Sequence, residues 1–86
     1  MKNLTAYLDQ KNRWNAIFSA PALSLDTAED RQRIAEIIDS ELSPENLTCD
    51  GELSRTAVQQ RYRQLTAAAR ELQQLDPAVT FYEYSE

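Results

Sequence analysis

Residues 54–77 read SRTAVQQRYRQLTAAARELQQLDP, and this stretch decides the fold. Between Ser54 and Asp76 there is no Gly and no Pro, and Ala, Leu, Gln and Arg fill most positions. All four are good helix formers. Ser54 brings a side-chain oxygen of the kind that accepts an orphan amide at a helix start. Asp76 is pushed out of helical conformation by the proline that follows it. The stretch predicts a helix over 55–75, roughly 30 Å long at ~1.5 Å per residue. Within it Val58, Tyr62, Leu65, Ala69 and Leu72 alternate spacings of four and three, which aligns them as one seam. A seam of this kind is buried by packing two other helices against it.

Two upstream segments supply those partners. Residues 28–41 predict a second helix, with Thr27 as its cap and Glu29 and Asp30 in a first turn where the helix dipole favours carboxylates. Its apolar side collects Ile34, Ala35, Ile37, Ile38 and Leu42, and Pro44 stops it. Residues 4–19 predict the first helix, with Asn3 as cap. At about 100° per residue, Leu4, Tyr7, Leu8, Trp14, Ile17 and Phe18 fall on one broad arc. Pro21 follows its end.

The expected fold class is all-α: a small three-helix bundle occupying 1–76, with a long ordered loop between helices 2 and 3. Asp50-Gly51 marks a turn in that loop, and Leu47 and Leu53 can pin it to the core. Residues 77–86 form a short β-prone C-terminal tail, because Val79, Thr80, Phe81, Tyr82 and Tyr84 are strand formers. Such a tail can pair with 47–49, pair with a second copy to give a homodimer, or stay loose.

Composition narrows the chemistry. The 86 residues include no His, one Cys, one Gly and three Pro, with a net charge of −5. Without imidazole there is no Ser-His-Asp or Cys-His machinery and no His metal ligand. A lone Cys49 makes no internal disulfide or Cys-based zinc cluster, which points to a reducing compartment and a cytoplasmic location. No apolar run is long enough for a secretory leader or a membrane span. One glycine does not make a phosphate-cradling loop. A chain this short buries only roughly 60–65% of its unfolded surface, so a partner would help it. Catalytic, cofactor and metal residues are accordingly expected to be none.

Charge is distributed unevenly. Residues 26–52 hold nine acids and only Arg31 and Arg33, whereas residues 53–75 hold Arg55, Arg61, Arg63 and Arg70 against Glu71. The acidic block either lies beside helix 3 and offsets its arginines, or faces a basic partner and steers association. Paired acids such as Glu36 and Asp39 would need burial and a raised pKa to act in acid-base catalysis. On an exposed helix face they are solvated.

Several residues break the pattern. Arg61 sits inside the apolar arc of helix 3, and Lys11 near the centre of the helix 1 arc. Each either snorkels to water or pairs with a carboxylate. For Arg61 the nearest acids in the preceding loop are Asp50 and Glu52, so the expectation is a loop anchor built from Arg61, Asp50 and Glu52. Cys49 beside Asp50 is a small half-buried side chain rather than a nucleophile, because the carboxylate raises a thiol's pKa. Cys49-Asp50-Gly51-Glu52 lacks the spacing of a calcium loop. Trp14, next to Arg13, is either a core edge or a binding anchor.

The reading that follows is a small non-enzymatic protein-binding module, in the style of accessory proteins of bacteria and their phages. It would act through Glu29, Asp30, Glu36 and Asp39, Trp14, and the tail residues Phe81, Tyr82 and Tyr84, with another protein as partner. One alternative is an acidic mimic of nucleic acid that occupies a DNA-binding protein. A weaker one is nucleic-acid binding through the helix 3 arginines, which the net charge opposes.

Overall fold

The computed structural model describes residues 2–47 and 54–84. It contains three helices, α1 (Lys2–Ile17), α2 (Ala28–Leu42) and α3 (Arg55–Leu75), and no strand among the described residues. The caps of α2 and α3 are the expected ones. Thr27 Oγ1 accepts from Asp30 N–H at 3.1 Å, and Ser54 Oγ from Ala57 N–H at 3.1 Å.

The cap of α1 differs from expectation. The helix begins at Lys2 rather than after an Asn3 cap. The free N–H groups of Asn3 and Leu4 are received instead by the Glu71 carboxylate of α3, at 3.0 and 3.2 Å. An orphan helix amide takes any well-placed acceptor, and here tertiary packing brings one from the far end of the chain. The other end of α1 closes locally. Ser19 and Ala20 donate to the Ala16 and Asn15 carbonyls, with Ser19 in the left-handed region at φ 57°. This is a Schellman closure in which Ser stands where Gly is usual.

The N-terminal turn of α1 meets Glu71 near the end of α3, and Arg31 in the first turn of α2 meets Asp76, the cap of α3. Both helices therefore start where α3 ends, and both run antiparallel to it. Residues 18–27 return beside α1 to make this possible. Asn12 holds Leu23 by both its amide atoms, and Asn15 holds the Pro21 carbonyl. Arg31 then ties the Leu25 carbonyl to Asp76.

The core lies at the end where α3 terminates. It is built from Leu4, Tyr7 and Leu8, from Ile34, Ala35, Ile38 and Leu42, and from Leu65, Ala68, Ala69 and Leu72. Only the C-terminal part of the expected α3 seam is buried. Val58 is partly covered and Tyr62 is exposed, because α3 runs on past the core. The same holds for α1: Trp14, Ile17 and Phe18 share the arc of Leu4 and Tyr7 but extend beyond their partners. A radius of gyration of 13.0 Å, against about 12 Å for a compact chain of this length, fits two projecting helix ends.

The tail forms no strand among the described residues, and Thr48 and Cys49 of the 47–49 stretch offered as its pairing partner lie outside them. It folds back over α2 and adds Val79 to the core, with Phe81 and Tyr84 packed on it and their two rings edge to face with each other at 5.3 Å. Its backbone groups find side chains in place of a ladder. Gln32 accepts from Thr80 N–H at 3.1 Å and donates back to Thr80. The Asp39 carboxylate accepts from Tyr82, Glu83 and Tyr84 N–H at 2.8, 2.7 and 3.2 Å. The 77–86 segment is thus part of the same fold as far as Tyr84.

Candidate functional site

The two projecting helix ends enclose an open groove of about 390 Å³. From α1 it takes Tyr7, Gln10, Lys11 and Trp14, and from α3 Ala57, Gln60, Arg61 and Gln64, with Glu41 of α2 at its floor. The helical period explains the sorting. Residues 7, 10, 11 and 14 lie on one side of α1, and 57, 60, 61 and 64 on one side of α3. Ile17 and Phe18 continue the α1 wall outward. Trp14, Ile17 and Phe18 are 55%, 70% and 73% exposed, and the Trp14 and Phe18 rings stack at 6.2 Å with 12° between their planes.

At the floor three polar side chains converge on Glu41. The Tyr7 hydroxyl donates to Oε2 and Lys11 Nζ to Oε1, while Arg61 Nη2 stands 3.6 Å from Oε1. Lys11 Nζ also lies 5.8 Å from the centre of the Tyr7 ring. Burial, and then the hydrogen bond and charge of Glu41, push the Tyr7 hydroxyl far above its ordinary range, while Arg61 opposes the shift. The phenol therefore stays protonated, and its role here is to donate to the carboxylate. Among the described residues no group of three or more His, Cys, Asp or Glu side chains is placed to hold a metal ion. Among the described residues no helix is long and apolar enough to cross a membrane.

Arg61 makes an ion pair with Glu41 of α2, whereas the acids expected to form a loop anchor with it are not among the described residues. Asp50, Glu52, Cys49 and Leu53 lie outside the described residues. Leu47 does pack on the core. Lys11 does not simply snorkel; it pairs with Glu41.

The expected acidic row on α2 is divided. Glu29, Asp30 and Glu36 line a shallow depression together with Arg33, a cation in their midst. Asp39 is 7% exposed, and its carboxylate is occupied by the tail amides. It is a structural residue, not a surface one. Of the tail aromatics, Phe81 and Tyr84 are half-buried against the core and only Tyr82, at 93%, faces solvent. Trp14 is exposed rather than a core edge.

Glu41 was not singled out from sequence, although it is the hub of the groove floor. Its nearest signal was the pair of cations, Lys11 and Arg61, sitting on apolar arcs without local partners. The chain matches no family model, no curated protein and no solved structure.

Proposed function

We propose that the chain is a non-catalytic protein-binding module that docks its partner on the projecting ends of α1 and α3. The observation that carries this reading is the exposed stacked pair Trp14–Phe18 with Ile17 beside it, next to a groove. Large aromatic side chains left out of a core beside a groove are the usual anchors of protein recognition. The polar floor speaks for binding as well. Tyr7 and Lys11 both donate to Glu41, and the phenol is held protonated as a hydrogen-bond donor.

The mimicry reading has less support, since Asp39 is withdrawn from the acidic row and Arg33 interrupts it. A spaced line of carboxylates is what such mimicry requires.

The test is affinity purification from the cells that make the protein, comparing the natural chain with Trp14→Ala and with an exposed control, Glu45→Ala. A binding partner retained by the natural chain and the control, and lost with Trp14→Ala, is the expected result. Identical recoveries from all three would reject this surface.

A further inference from the structure

The projecting ends carry a charge opposite to that of the whole molecule. Residues 10–18 contain Lys11 and Arg13, residues 55–64 contain Arg55, Arg61 and Arg63, and neither segment contains an acid. The chain as a whole has a net charge of −5. Among the described residues the one carboxylate in the groove, Glu41, sits at the floor and faces both cations there. Arg61 approaches it only to 3.6 Å, too far for a hydrogen bond, and its side chain is the most exposed of the three. A planar guanidinium in this position is suited to receive a second carboxylate from outside, bidentately.

We infer that the occupant of the groove is an acidic amphipathic helix of a partner protein, its apolar row on Trp14, Ile17 and Phe18 and a carboxylate on Arg61. This rests on the docking surface proposed above and adds the chemistry of the partner. A groove between two helix ends accepts a third helix by the same side-chain interlocking that builds the bundle. Two competing occupants fit less well. A second copy placed on this face by a twofold axis would set Lys11 and Arg61 against the same pair of cations. A nucleic acid would meet the net negative charge of the rest of the molecule.

The experiment uses the full chain and a displayed library of single helices on an alanine scaffold. Positions i, i+3, i+4 and i+7 vary among apolar residues, and the flanking positions vary among Asp, Glu, Lys, Arg and Ser. Selection on the natural chain should enrich Asp and Glu over Lys and Arg beside an apolar row. Trp14→Ala should weaken the selected helices about thirtyfold, the scale of a central aromatic anchor. Arg61→Gln should remove the acidic enrichment while apolar selection persists. Gln64→Glu, which leaves the Arg61–Glu41 pair intact, should shift enrichment toward Lys and Arg.

Helices with no charge preference, or with a basic one on the natural chain, would overturn the inference. So would a dimer by sedimentation equilibrium that Trp14→Ala dissociates, or tighter binding of a single-stranded oligonucleotide than of any selected helix. Helices that bind equally well to Trp14→Ala would reject both this site and its partner chemistry while leaving a binding module elsewhere on the surface. Selection that yields no binder at all would reject the module reading too.

Discussion

Single side chains do much of the stitching in this protein. Asp39 is the clearest case: one carboxylate gathers three successive backbone amides of the tail. Hydrogen bonds to a charged acceptor are worth more than neutral ones. Asp39→Asn keeps one oxygen but turns an NH₂ toward an N–H donor. It should cost about 2 kcal/mol of unfolding free energy, measured by urea denaturation; an unchanged midpoint would show that the tail contacts carry no weight. Ser19 offers the opposite case. A non-glycine residue in the left-handed region costs roughly 1 kcal/mol, so Ser19→Gly should stabilise the chain by about that amount despite the looser unfolded state. Thermal unfolding decides it, and a lower Tm would contradict the Schellman closure of α1.

The elements depend on one another at their ends. The first turn of α1 rests on Glu71 of α3. Desolvation raises the Glu71 pKa, but the Leu4 and Asn3 donors outweigh it and hold the group below its ordinary value. Asp76 is also lowered, by its hydrogen bond from Arg31 and then by the Ala78 amide. A carboxylate with a depressed folded-state pKa binds its proton more readily when unfolded. Its contribution is complete above the ordinary carboxylate range and is lost as pH falls through and below about 4. Unfolding free energy should therefore drop between about pH 5 and pH 3, and Glu71→Gln should make that drop shallower. An identical pH profile in the variant would remove Glu71 from the account. Tyr7 has the other sign. Its folded-state value lies above the ordinary 10.0, so the unfolded chain ionises first and stability declines as pH rises past about 10. Tyr7→Phe should flatten that alkaline limb, which fluorescence-monitored unfolding at pH 9–11 would read.

At the scale of the whole molecule, the core and the exposed aromatic end proposed for docking are set apart, meeting only at the groove floor, where Tyr7 and Leu65 belong to both. Leu72, fully buried among all three helices, should cost 2–5 kcal/mol when cut to Ala, about the scale seen for core leucines. That is a large share of what a domain of this size possesses. Trp14, larger but outside the core, should cost within about 0.5 kcal/mol. Chemical denaturation of both variants compares them directly. A large loss from Trp14→Ala would mean that the aromatic end is structural and not a surface held for a partner.

Much of this architecture was legible in local sequence. The runs around Ile34–Ile38 and Leu65–Leu72, the caps Thr27 and Ser54, and the stop at Asp76-Pro77 all act between neighbours a few residues apart. Periodicity and capping are set by chain geometry at that range, so three helices follow from the letters alone. Where each helix leaves the core was not legible. Trp14 and Phe18 have the same hydrophobic phase as Leu4 and Tyr7, and Tyr62 the same as Leu65. Phase says which way a side chain points, not whether another element is there to meet it. The pairs that set the assembly join residues 30–68 positions apart: Lys11 with Glu41, Asp39 with the tail, Arg31 with Asp76, Asn3 with Glu71. Such contacts leave no mark on their neighbours in sequence. The helices belong to the letters, while the parallel start of α1 and α2, the docked tail and the open groove arise from the packing that brings those distant charges and amides within reach.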